Sequence, residues 1–153
     1  MTGGSLIFSY TSDMQTSPTR LWLARSLILL VLAWNLQAAL AFLLSPDSFA
    51  PGFELGGVPG QAAVRGIAVL FGMWNVPYLF AAWHPRRHNL SLKEALLMQF
   101  TGLLGETFIL LSIDSSHAIL RASIQRFITF DATGLLLLLL AFWLVRDKAP
   151  EEH

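Results

Sequence analysis

The chain has 153 residues, 54% of them hydrophobic and only 13% charged, with a mean hydropathy of +0.57, a balance that belongs to an integral membrane protein rather than a soluble domain. Ten basic residues against ten acidic ones leave no net charge, so no broad basic surface exists to neutralise phosphates, and nucleic acid is not an expected partner. Having no cysteine, the chain can form neither disulfides nor thiol nucleophiles, Cys-ligated zinc or iron–sulfur centres.

Residues 1–20 read as a polar tail with a single positive charge, Arg20. Ala39-Leu40-Ala41 imitates a signal-cleavage site, but the apolar run around it, 21–44, is long enough to span, so it reads as an anchor. Three further runs follow at 62–83, 95–113 and 124–145. Pro46 and Pro85 follow the first two, and the "DSS" at 114–116 separates the last two. "HAILRAS" at 117–123 is itself helix-compatible, which allows the last helix an earlier start. The expected fold is all-α: one transmembrane four-helix domain over 21–145, closed by a charged tail at 146–153.

The basic residues set the expected orientation. Arg20, Arg25, Arg86, Arg87, Lys93, Arg146 and Lys148 fall on one side of the bundle, whereas the connection "SPDSFAPGFELGGVPGQ" contains no Lys or Arg. Both termini are therefore expected to be cytoplasmic, in the plasma (inner) membrane. Trp22, Trp83 and Trp143 fall at the same ends of their helices, where indole rings favour the headgroup level. With three prolines and four glycines, that first connection reads as a flexible cap. Its "GGVPG" lacks the Lys-Ser/Thr and the preceding strand that a phosphate loop requires.

"LLGETFILL" at 103–111 sets Glu106 in the third run. Counting a rise of about 1.5 Å per residue places Glu106 and Asp131 each roughly 10 Å below the outer ends of their helices. Arg65, about 4–5 Å down the second helix, has a side chain long enough to reach that depth. Gln37 on the first helix joins the layer. A carboxylate alone at the bilayer centre costs about 2.5–3.5 kcal/mol. Glu106 is accordingly expected to pair with Arg65, with help from Gln37 or Thr107. The excess negative charge would be met by Arg126 turning inward or by a proton shared between the two acids. The candidate ligand-binding or proton-relay residues are thus Arg65, Glu106, Asp131, Gln37 and Arg126. A purely structural polar clasp is the competing reading.

Elsewhere, Asn75 and Pro77 suggest a kink in which the Asn satisfies a freed carbonyl, and Asn35 lies at a depth from which it reaches Asn75. Gly102 and Gly105 suggest close backbone approach. In "WHPRRH" at 83–88, His84 and His88 stand four apart, but Pro85 interrupts them and no carboxylate accompanies them, so no metal site is expected. Arg86 and Arg87 suit anionic lipid headgroups instead.

The "SPDSFAPG" segment after the first helix and the small-residue "RGIAVLFGMW" in the second resemble the DoxX-like group over about residues 21–145. "WNVPYLFAAWHPRRH" lies outside the resemblance. The resemblance implies a four-helix membrane protein linked to quinone-related redox or to accessory roles in larger complexes, and it carries over no catalytic residue or cofactor. Three functions follow as expectations. The first is a binding or accessory protein for a lipid or quinone-like small molecule, acting alone, as a homo-oligomer or within a larger membrane complex. The second is a proton-coupled transporter or channel component. The third, an enzyme, would have only a carboxyl pair for its chemistry.

Overall fold

The structure, a computed structural model, describes residues 17–146; the polar tail before Ser17, Lys148 and the charged tail beyond Arg146 lie outside them. The chain is all-α. Its elements are α1 (Pro18–Leu44), α2 (Pro46–Phe49), a 3-10 turn (Ala50–Phe53), α3 (Gly57–Trp83), α4 (Asn89–Ser112) and α5 (Ala118–Val145). The four long helices are long and apolar enough to cross a membrane. Each starts earlier than hydropathy alone suggests, because first turns that are polar or contain Gly and Pro precede the apolar spans. Ser17, for instance, caps α1 through its Oγ, with Pro18 pre-set for the first turn.

The long helices form a ring in chain order, alternating in direction: α1 packs on α3 and α5, and α4 packs on the same two. One end of the bundle, the terminal end, carries the start of α1, the 84–88 turn and the end of α5. The other carries α2, the 3-10 turn and the α4–α5 turn, and is called the short-helix end. Exposed Trp22, Trp83 and Trp143 ring the terminal end.

The connection expected to be a flexible cap is compact helix instead, because Pro46 and Pro51 each start a short helical turn. Glu54, in the left-handed region (φ 56°), and Gly57 (φ 60°) then turn the chain into α3, so that "GVPGQ" is helical. Helix ends are closed by side chains from neighbours. Arg121 donates through Nη1 to the Leu110 and Ile113 carbonyls at the end of α4, at 2.9 and 2.7 Å. At the terminal end Arg25 donates through Nε to the Ala82 carbonyl at 3.1 Å and lies over the Trp22 ring.

Two apolar clusters fill the bundle. The terminal half is packed from all four helices by Ala24, Ile28, Val31, Ala81, Leu92, Ala95, Leu138, Ala141 and Val145 among others. The cluster toward the short-helix end is built on Phe42, Ala50, Val64 and Ala68, with Phe53, Phe71 and Phe127 against it, and includes no α4 residue. The buried residues of α4 are Leu92, Ala95 and Gln99, all in its first half. Beyond Gln99 that helix faces open space on its α3 side.

Candidate functional site

The open space is a cavity of about 750 Å³ between α3, α4 and α5, walled mainly by apolar side chains that include Ile67, Phe71, Trp74, Ile109, Phe127 and Phe130. Its polar lining comes from Asn35, Asn75, Tyr78, Gln99, Thr101, Glu106 and Asp131, and no Lys, Arg or His among the described residues lines it.

These polar groups are ordered by hydrogen bonds. The Tyr78 hydroxyl donates to Gln99 Oε1 at 2.6 Å and lies 3.2 Å from the Ala95 carbonyl. Gln99 Nε2 donates to Asp131 Oδ1 at 2.7 Å and faces the Asp131 main-chain oxygen at 3.3 Å. Two acceptors at Nε2 fix which way the Gln99 amide is turned. Asn35 of α1 lies beside the Tyr78 hydroxyl, and the Glu106 and Asp131 carboxyls are neighbours. All four long helices therefore contribute to one polar floor.

Two glycines make room for it. A Cβ on Gly102 would stand 2.2 Å from Asp131 Oδ2, and one on Gly134 would stand 2.7 Å from Gln99 Nε2. Each helix thus carries a polar residue followed three positions later by glycine, Gln99-x-x-Gly102 on α4 and Asp131-x-x-Gly134 on α5. Antiparallel pairing seats each polar side chain in the other helix's notch. Gly102 was expected to permit backbone approach; it instead seats a carboxyl. Gly105 has nothing within 4 Å of its Cβ position and opens onto the cavity.

The expected single layer is divided. Glu106 and Asp131 come together, but Arg65 does not join them. It is exposed on α3, beside core-facing Val64 and Ala68, and makes no hydrogen bond or ion pair among the described residues. Depth does not separate Arg65 from Glu106, since Arg65 lies about 12 Å along α3 and Glu106 about 9 Å from the end of α4. The rotation of α3 does. Asp131, with α5 beginning at Ala118, lies about 20 Å along its helix rather than the expected depth of roughly 10 Å. Gln37 and Arg126 line a second cavity of about 400 Å³ bounded by α1, α5, α2 and the 3-10 turn, with Ser48 and Ser123. There Arg126 donates to Ser123 Oγ at 2.9 Å. Phe53, Phe127 and Phe130 line both cavities and divide them. Thr107 bonds the Leu103 carbonyl of its own helix at 2.7 Å rather than assisting Glu106.

Asn75 also departs from expectation. Its Nδ2 donates to the Phe71 carbonyl at 2.6 Å, one turn back, whereas Pro77 frees the carbonyl of Met73. Asn35 meets Tyr78, not Asn75. In the 84–88 turn His84 Nδ1 accepts from the Arg87 amide at 3.2 Å, leaving Arg87 exposed and Arg86 half-buried. Sequence reading missed Gln99, Tyr78 and Gly134. The available signal was the repeated polar-x-x-Gly spacing, together with Gln99 standing two helical turns before Glu106 on the same face.

At the short-helix end, Glu54 holds the start of α5: its Oε2 lies 2.5 Å from His117 Nδ1, and its Oε1 accepts from the Leu120 amide at 3.3 Å. The hydrogen bond from His117 holds the Glu54 carboxyl below its ordinary range, and Glu54 in turn raises the His117 imidazole above its ordinary value. Comparison of the chain with protein families, with curated proteins and with solved structures finds no match.

Proposed function

We propose that the protein binds a small amphiphilic molecule, of lipid-like or quinone-like size and form, in the cavity between α3, α4 and α5. The observation that carries this reading is the cavity itself: about 750 Å³, with apolar aromatic walls and convergent polar groups from four helices, which is the composition of small-molecule sites. The quinone-like arm also rests on the resemblance to the DoxX-like group. With the termini cytoplasmic, as the basic residues imply, the ligand would occupy the outer half of the plasma (inner) membrane, and Arg86 and Arg87 would meet anionic headgroups on the other side.

A proton-coupled transporter or channel would need polar groups continuing from the Tyr78–Gln99–Asp131 chain to the terminal end. The cluster of Ala24, Ile28, Ala81, Leu92, Leu138 and Val145 stands in that path, and its packing argues for a blind cavity.

Gly105→Leu tests the binding reading, since the new side chain enters the cavity without meeting a neighbour at its Cβ. In nanodiscs, lipids and quinones that raise the unfolding temperature of the wild type should fail to do so for Gly105→Leu, while Val69→Leu, exposed on α3, should retain the effect. Equal ligand responses in Gly105→Leu and wild type would refute the assignment of the cavity.

A further inference from the structure

We infer that the polar end of the cavity's ligand is a protonated amine, so that the molecule is a lipophilic cation bearing N–H donors. The inference rests on the binding reading above and concerns the class of ligand. Its starting point is a mismatch in the cavity wall. Asn75, 4% exposed, has Oδ1 buried with no hydrogen-bond partner among the described residues, and the Glu106 carboxyl, whose Oε2 is likewise buried, has the Asp131 carboxyl as its neighbour. Both residues line the same cavity; Asn75 Oδ1 is an acceptor, and both Glu106 oxygens are acceptors once that carboxyl is ionised. The orientation of Asn75 follows from chemistry, because only its NH2 group can meet the Phe71 carbonyl. Buried acceptors left unpaired are costly, so the complementary ligand is one that supplies donors as these side chains turn from the wall to meet it.

Charge narrows the class. Glu106 and Asp131 both line the cavity, and no cationic side chain among the described residues does. A carboxylate or phosphate would add negative charge and further acceptors, and an oxidised quinone would add acceptors alone. A hydroxyl offers one donor and no charge. A primary ammonium offers three donors and a positive charge, which suit the Glu106 and Asp131 carboxyls and the Asn75 carbonyl. The faces of Phe71, Trp74, Phe127 and Phe130 suit a desolvated cation beside them and an alkyl or aromatic body beyond it.

The test is a probe series of constant chain length, dodecylamine, dodecyltrimethylammonium, dodecanol and dodecanoate, with decylubiquinone and decylubiquinol, measured by isothermal titration on the full chain in zwitterionic nanodiscs and corrected with empty nanodiscs. Dodecylamine should bind saturably at one per chain, about tenfold more tightly than dodecanol or the quaternary analogue, which lacks N–H donors, and dodecanoate should show no saturable binding. Glu106→Gln should weaken dodecylamine by about tenfold, and Gly105→Leu should abolish its binding. Since the ranking of probes on the wild type needs no variant, a misfolded Glu106→Gln would not protect the inference. Dodecanol, decylubiquinone or decylubiquinol binding as tightly as the amine, in a manner lost in Gly105→Leu, would overturn the cationic class and leave the binding cavity standing. Saturable binding of no probe would overturn both.

Discussion

The two halves of this bundle are built from the same four helices and the same kinds of residue, yet one is closed and the other open. In the terminal half, alanines at 24, 81, 82, 95 and 141 alternate with Ile28, Leu92, Leu138 and Val145, so that large side chains fill the spaces small ones leave. In the short-helix half, phenylalanines gather between α1, α3, α5 and the 3-10 turn, while α4 buries nothing after Gln99. The difference teaches that in an apolar solvent helix association depends on shape rather than on hydrophobicity. Where small residues recur, helices close on each other; where Gln99 and Asp131 must be seated, glycines at 102 and 134 are used for polar side chains, and the wall toward α3 remains open.

The largest expected effect is the asymmetry of core truncation. Leu138, fully buried, should lose about 2–5 kcal/mol as Leu138→Ala, whereas Ile109→Ala, at a position 46% exposed beside the cavity, should lose less than about 1 kcal/mol. Reversible unfolding by denaturing detergent in mixed micelles measures both; equal losses would break the contrast between closed and open halves. A sharper comparison uses two glycines three residues apart. Gly102→Ala drives a methyl group into Asp131 and should cost about 1–3 kcal/mol, while Gly105→Ala meets nothing and should be neutral or gain up to about 1 kcal/mol from helix propensity. If both alanines are tolerated alike in the same assay, the seating of Asp131 is wrong.

The smallest effect is that of pH on the link between the 3-10 turn and α5. Because His117 is raised above its ordinary value of 6.5, its contribution is complete below that pH and is lost as pH rises through the folded value. Because Glu54 is lowered from 4.5, its contribution is complete above that pH and is lost as pH falls through its lower folded value. The link should therefore be fullest between about pH 4.5 and 6.5. The nitrogen and proton shifts of the Leu120 amide, which donates to Glu54, should move as pH rises above that window, and His117→Gln should remove the movement. A shift unchanged by that substitution would locate the titration elsewhere.

The fold was more legible than the site. Four apolar runs and the prolines after two of them announced four helices, though capping residues such as Ser17, and the "GVPGQ" segment that α3 absorbs, moved their starts. Glu106 and Asp131 were found from the expense of a carboxyl in an apolar run. Arg65 was misread because depth along a helix follows from counting, whereas the facing direction depends on which neighbour packs where. Gln99 and Tyr78 gave little warning, since an amide or phenol in an apolar stretch is unremarkable until another helix brings it a partner. The polar-x-x-Gly spacing on α4 and α5 was present in the chain, but its meaning required knowing that those helices run side by side and antiparallel.

What the sequence determined alone was therefore what each segment decides by itself: helix against strand, length against membrane thickness, and the presence of polar groups in apolar runs. Those depend on local propensity and on transfer from water. What only the tertiary structure decided was which of those groups meet, that Arg126 and Gln37 fall on the other side of a phenylalanine wall from Glu106, and that α4 leaves a cavity against α3. These depend on the rotation of one helix against another, which is fixed by packing among side chains distant in the chain.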